Sequence, residues 1–423
     1  MLIDEYKFLA KNNYHLQFSE IEIYGISSSQ EIAYRGTGVI SRGVDSRLTI
    51  TIFTSPNLLF EKERTEVIRK LREGQVISEE LTCRMKAKDQ IGRWWDVCEI
   101  FITDIVNDES NSTVTAEIDT FILKTPNDNA DDIGGSRVEI ITTHNGDLPL
   151  KIEGREGNSF EWGVNFTASD FSIKITKLIS HTKIALHKNG EIDRSQIDIL
   201  LEAISICSGR VIVPLLMSWQ DEKHFNLKVS HGEADENRLP SILDELSAFN
   251  IDNFKLFLEC YLSEINTPYG ATYAAWHRAY LGSGASIEIS SLALCTAIEG
   301  IVKYRFTEAT PVSADIDQKL IKIGETINTI ESEGWIIESI LKHLDRIRES
   351  KPTIKKSLKL FAQPHNISSK QIQRWESLRN KITHFDLLDD SPKENEKLLN
   401  DYKTCLIILF KLVAHSAGYR WTN

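Results

Sequence analysis

Residues 371–385 read Gln-Ile-Gln-Arg-Trp-Glu-Ser-Leu-Arg-Asn-Lys-Ile-Thr-His-Phe. Ile372, Trp375, Leu378, Ile382 and Phe385 recur every three or four residues, so a helix here carries one apolar stripe. Asn380 and His384 are one helical turn apart and share an edge far round from that stripe. Arg379 sits at the stripe's border, where a long guanidinium can swing toward the same edge. The core does not need this polar trio.

Its chemistry suits RNA cleavage without a metal. Such cleavage needs a base for the 2′-hydroxyl proton, or an acid for the departing 5′-oxygen, and a cation for the charged phosphorane. Histidine titrates near neutral pH and carries protons. Arginine stays charged and grips phosphate oxygens in a fork. Asparagine can fix the imidazole ring or hold a phosphate. Candidate phosphate contacts lie just before and within the same helix: Lys351, Lys355, Lys356, Lys359, Lys370, Arg374 and Lys381. A solvated helix face is the plain alternative for each lysine, and chance occurrence on a surface helix is the alternative for the trio.

The elements that must position these residues follow from the rest of the chain. Its 423 residues suggest two or three domains. A composition of 41% hydrophobic and 26% charged residues fits a globular protein with ample core. Apolar runs such as 405–410 fall far short of a membrane span, and no signal peptide is expected at the N-terminus. Six cysteines without a C-x-x-C pair argue against a zinc module or a disulfide scaffold, and a reducing, cytoplasmic location is expected. The net charge of -12 argues against a coat of nucleic-acid contacts. From 341 onward, however, 16 Lys and Arg face 9 Asp and Glu, so a basic C-terminal end follows an acidic body.

Strand patterns recur at 16–24, 47–53, 81–86, 94–105, 112–123, 137–142, 160–166, 171–178 and 183–187. Asn- and Asp-rich turns separate many of them, and a helix at 59–71 interrupts the series. The pattern predicts a β-rich domain over 1–190, antiparallel and built as a sandwich, jelly roll or barrel. A connecting helix (197–207) and a small hairpin (211–218 and 224–229, with Asp221-Glu222 in the turn) occupy 191–240. From 241 to 423 the chain reads as an all-α domain. Its helices fall at 241–263, 270–281, 288–306, 313–331, 334–348, 353–362, 369–387 and 394–416, with breaks at Pro268, Pro311, Pro352 and Pro364. Ser391-Pro392 marks a helix start. The fold class is therefore α+β.

Other constellations carry less. His343 and Asp345 beside Arg346 and Arg348 read as a helix surface. Gly282-Ser-Gly-Ala-Ser286 lacks the lysine of a nucleotide-binding loop. Trp94, Trp95, Tyr34 and Trp162 read as core aromatics rather than a ligand platform. His181 and His187 have no neighbouring metal ligand. His415 either approaches the motif or closes its helix favourably.

The segment Arg379-Asn380-Lys381-Ile382-Thr383-His384 resembles the R-x(4–6)-H signature of the HEPN superfamily, with Asn in the usual polar place. Leu292-Ala-Leu-Cys-Thr-Ala-Ile298-Glu299-Gly300-Ile301 is similar to the family's acidic upstream position. The layout, a β-rich half before a helical bundle, resembles ApeA-like proteins of bacterial anti-phage defence. The resemblance covers about 241–416. It implies a HEPN-like bundle and a metal-independent endoribonuclease leaving 2′,3′-cyclic phosphate ends, with Arg379, Asn380, His384 and Glu299 as its catalytic group. Lys355, Lys356, Lys359, Arg374 and Lys381 would then hold RNA. It also implies a homodimer through the helical domain, and no cofactor or metal. The β-rich half would gate an abortive-infection activity in response to a phage-derived or small-molecule trigger. The alternative is a non-catalytic protein whose β half binds a ligand and whose bundle only dimerises.

Overall fold

The computed structural model describes residues 2–11, 13–25, 31–43, 47–70, 82–126, 135–143, 148–156, 159–178, 181–220, 224–232, 237–246, 248–263, 269–305, 314–330, 333–349, 353–362, 365–383 and 391–420. The chain is α+β, an antiparallel β region preceding a helical one. It divides into two compact units: Met1–Glu236 with Asn250–Ser263, and Asn237–Phe249 with Glu264–Asn423. His384, Phe385, Lys351, the Asp221-Glu222 turn and the four proline breaks lie outside the described residues.

The strands of the first unit are β1 (His15–Tyr24), β2 (Ile32–Arg42), β3 (Leu48–Thr54), β4 (Cys83–Asp89), β5 (Trp94–Asn107), β6 (Ser112–Ile118) and β7 (Thr120–Pro126). They continue as β8 (Ser136–Thr143), β9 (Lys151–Glu156), β10 (Ser159–Ala168), β11 (Phe171–Lys177), β12 (His181–Lys188), β13 (Pro214–Gln220) and β14 (His224–Ser230). Its helices are α1 (Leu2–Tyr6), α2 (Leu58–Lys70), α3 (Arg194–Ser208) and, after the short α4 (Ile242–Glu245) of the second unit, α5 (Ile251–Ser263).

β4 pairs with both β1 and β5, so β1, β2, β3, β6, β5 and β4 close into a six-stranded antiparallel ring. Every second residue points inward, which is what the period-2 alternation of β3, β4 and β6 encodes. Ile21, Ile40, Ile50, Ile52, Met85, Trp95 and Val114 are fully or almost fully buried in this core. Two glycines let β2 sit close to β3. A Cβ at Gly36 would stand 2.0 Å from the Phe53 carbonyl oxygen, and one at Gly38 would stand 2.3 Å from that of Thr51. At Asp119 the chain leaves the ring, its carbonyl accepting from the His231 N–H at 2.8 Å. β7 then opens a second run in the order β7-β14-β13-β8-β12-β11-β10-β9. α5 packs on α3 and on β10, with Phe254 against Phe166. Asp193 and Gln196 form a capping box that starts α3, and Gly209 ends it at φ 68°.

Strand pairing selects among the expected architectures, and three details differ from the sequence expectations. Strand pairing makes one continuous sheet with a closed ring at one end, so of the three architectures expected it is the barrel that the ring builds. The 211–229 hairpin is no connector: it fills the middle of the sheet between β7 and β8. The predicted 112–123 strand is broken at Asp119. The predicted 241–263 helix is two, because Ser241 caps α4 and Asn250 starts a new helix by accepting from the Asn253 N–H at 2.9 Å.

In the second unit follow α6 (Ala271–Gly282), α7 (Ile287–Arg305), α8 (Ala314–Asn328), α9 (Gly334–Glu349), α10 (Ile354–Ala362), α11 (Ser369–Thr383) and α12 (Pro392–Ser416). α7 packs against α6, α10, α11 and α12, and α8 packs against α9. Leu294, Ile298 and Ile301 of α7 and Cys405, Leu409 and Leu412 of α12 are fully or nearly fully buried. α12 starts as its sequence indicates, with Ser391 capping the Glu394 N–H and Pro392 in the first turn. Among the described residues no helix is long and apolar enough to cross a membrane.

Candidate functional site

The apolar stripe of α11 is real: Ile372, Trp375 and Leu378 are 3%, 3% and 0% exposed. Packing that stripe between α7, α10 and α12 fixes how α11 is turned. Arg379 follows Ile372 by seven residues and Trp375 by four, so it leaves the helix on the arc that faces inward. Its guanidinium therefore turns to α7, where Nε donates to Glu299 Oε1, rather than swinging to the Asn380 edge. Asn380, one residue on, is exposed. The pair is reachable from solvent, with the Arg379 side chain 41% exposed and that of Glu299 26%. Only the Nε–H is engaged by Glu299, and a guanidinium has four more N–H donors on its two terminal nitrogens. Those can still meet an anion.

Arg278 of α6 was not singled out by sequence. It lays its guanidinium near Gly300, with Nη1 3.6 Å from where a side chain at that position would begin. A second cation thus stands beside the helical turn that carries Glu299. The signal that could have found it is the absence of a side chain at Gly300, which leaves room for a long neighbour.

The expected phosphate contacts divide into two sets. Lys355 pairs with Glu376 at 2.6 Å, Lys381 with Glu394 at 3.2 Å, and Arg374 with Asp401 at 3.8 Å and with the Thr404 hydroxyl at 3.1 Å. The carboxylates come from α11 and α12, so these cations stitch the bundle together. Lys381, with neighbouring lysines, holds the Glu394 carboxyl below the usual carboxylate range. Lys356 and Lys359 are exposed, and no ion pair holds either among the described residues.

A groove of about 500 Å³ runs between α11 and α12, and sequence reasoning did not foresee it. Lys370 and Arg374 line one wall, and Lys393, Glu396, Lys397 and Asp401 of α12 the other. Arg374 and Arg379 are five residues apart, about 140° round the helix, so the groove and the Arg379–Glu299 pair lie on different sides of α11.

His415 is not beside the motif. Its ring centroid lies 4.2 Å from that of His365 and 5.2 Å from that of Phe361, where α11 has yet to begin. Arg379 is ten residues into α11 from Ser369, a rise of about 15 Å. Burial, then the charges of His365 and Arg420, push His415 down to about 4. Of the aromatic quartet, Trp95 and Tyr34 are core at 0% and 2% exposure, whereas Trp94 and Trp162 are exposed.

The structure thus joins Arg379 to Glu299, leaves Asn380 exposed nearby, and keeps Lys356 and Lys359 on α10. Against known proteins, the chain matches no family model, no curated protein and no solved structure.

Proposed function

We propose that the protein is a metal-independent endoribonuclease of the HEPN type, with its centre at the C-terminal end of α11. The observation that carries this reading is the solvent-accessible Arg379 held across the bundle by Glu299, with Asn380 exposed beside it. In this reading Glu299 is a positioning residue that fixes the guanidinium fork. Arg379 meets the non-bridging oxygens of the scissile phosphate and stabilises the phosphorane. His384 takes the 2′-hydroxyl proton or protonates the departing 5′-oxygen. The 2′-oxygen forms the new bond to phosphorus, the bond to the 5′-oxygen breaks, and a 2′,3′-cyclic phosphate remains. Asn380 orients the imidazole or the phosphate. Lys356, Lys359 and the α11–α12 groove supply contacts to the RNA backbone. Two copies related by a two-fold axis would bring two such edges to one cleft. The HEPN-like bundle, the anti-phage setting and gating by the β-rich unit belong to the same proposal.

The test is incubation of the purified chain with RNA in excess EDTA, followed by end analysis of the products. Cleavage with cyclic ends is expected, lost in His384→Ala and largely lost in Arg379→Lys, which keeps the charge but not the fork. A reaction stopped by EDTA and restored by magnesium would overturn it.

A second reading has its own support. Lys355, Arg374, Lys381 and Arg379 all spend contacts on carboxylates of neighbouring helices. Those pairs suit a bundle that serves as a scaffold. Absence of cleavage by a folded, dimeric protein would favour it.

A further inference from the structure

The α11–α12 groove carries its cations in a row. Lys370 and Arg374 are one turn apart on α11, and Lys393 and Lys397 are one turn apart on α12. The two helices run antiparallel, since Lys381 meets Glu394 and Arg374 meets Asp401. The α12 pair therefore lies beyond the α11 pair. Lys370, Arg374, Lys397 and Lys393 succeed one another along the groove at steps of about 6 Å. That step is close to the separation of successive phosphates in an extended nucleic-acid strand.

The charge is not cancelled within the groove. Among the described residues two carboxylates line it, Glu396 and Asp401, and Asp401 faces Arg374 at 3.8 Å. Glu394, outside the lining, faces Lys397 at 3.9 Å and is held more closely by Lys381 at 3.2 Å. Lys370 and Lys393 are exposed, and among the described residues no ion pair holds either. Each is the second residue of its helix, in a first turn where the helix dipole disfavours a cation. Neither lysine serves its own helix, whereas an anion in the groove gains from both.

The lining also narrows the kind of anion. None of the described residues along it is aromatic or aliphatic, whereas pockets for small organic molecules are lined mainly by such groups. Bases have nothing to stack on there. Gln373, Ser377 and Asn400 add neutral donors that suit phosphate and sugar oxygens.

We propose that the groove binds a single strand of nucleic acid through its phosphates, without reading its bases. The nuclease reading gives the groove only supporting contacts. Here it is a binding site in its own right, on a different side of α11 from the Arg379–Glu299 pair, and it holds a strand whether or not the chain cuts RNA.

Fluorescence anisotropy of the full chain with labelled oligothymidylate and oligodeoxyadenylate of about twelve nucleotides tests it. DNA has no 2′-hydroxyl, so success or failure of the proposed cleavage does not enter this readout. Both strands should bind within about threefold of each other, with dissociation constants under about 100 μM at about 50 mM salt. With the four cations engaged, log affinity against log salt should have a slope of about −3, and Lys370→Ala or Lys393→Ala should each reduce its magnitude by about 0.7. The double variant should bind about tenfold more weakly, while Lys322→Ala, at an exposed lysine of α8, should bind as the parent does. All three lysines are exposed, so the fold is not at stake. No binding at about 100 μM protein would overturn the proposal. So would a double variant that binds as the parent does, or an equal loss in Lys322→Ala. Displacement of the strand by inorganic tripolyphosphate at lower concentration than by unlabelled strand would also overturn it, giving the groove a compact anion instead.

Discussion

Arg379 leaves α11 on the inward arc, and a cation there needs an acid on the facing helix; Glu299 answers that need. Both side chains remain partly in solvent, so their attraction adds at most about 1 kcal/mol to stability. Glu299→Gln should therefore melt within about 1 kcal/mol of the parent in urea, while the proposed RNA cleavage should fall roughly tenfold or more through a misplaced guanidinium. Unchanged cleavage would remove Glu299 from any positioning role. Trp375→Ala is the contrasting change. That ring is 3% exposed, and its loss should cost about 3–5 kcal/mol in the same urea experiment. The buried stripe of α11 and the exposed side on which Asn380 emerges were legible in the sequence, because residue spacing along a helix is a local property. Which cations stay free was not legible. Glu394 and Asp401, from α12, and Glu376, facing Lys355 across α10 and α11, decide that by arriving from elsewhere in the chain.

Between elements, close approach is set by small residues. A Cβ at Gly282 would lie 2.5 Å from the Ala293 Cβ, so α6 and α7 meet only because position 282 has no side chain. Gly282→Ala should push the two helices apart at a cost of about 1–3 kcal/mol, and adding Ala293→Gly should restore much of it. Melting of the single and double variants checks this, and equal melting of Gly282→Ala and the parent would contradict the packing. The same logic explains what the sequence hid among the strands. β3, β4, β11 and β12 alternate cleanly and were readable. β2 was not, because Gly36 and Gly38 stand at a sheet contact and erase the pattern. The break at Asp119 was equally silent, since residues on both sides keep their β character and only pairing shows the change of partner. The helical half was read almost element by element, with Ser391 and Pro392 marking the start of α12.

For the molecule as a whole, acid should act through the histidine pair. Burial and neighbouring charge hold His415 at about 4 in the folded chain, and His365 is lowered in the same sense by burial, Arg420 and Lys411. Unfolded, each returns to about 6.5. The unfolded chain thus binds more protons between those values, so stability present above about pH 6.5 is lost as pH falls toward 4. Screening at these half-buried rings keeps the His415 share to about 1 kcal/mol. His415→Gln should flatten the urea midpoint against pH in that window, and an unaltered slope would place the acid sensitivity elsewhere. Light scattering addresses the proposed dimer: a monomer at micromolar concentration with full cleavage would remove the shared cleft. The placement of β13 and β14 has a consequence for biosynthesis. The pairings that close the six-stranded ring use no residue beyond 118, so they can form while the ribosome is still at work, and Phe121, Leu227 and Val229 complete its core later. β7 must instead wait about a hundred residues for β14, and β8 about seventy-five for β13, with bare strand edges meanwhile. Whatever shields those edges during synthesis, a chaperone or slow dilution, governs how much of this protein reaches its native state.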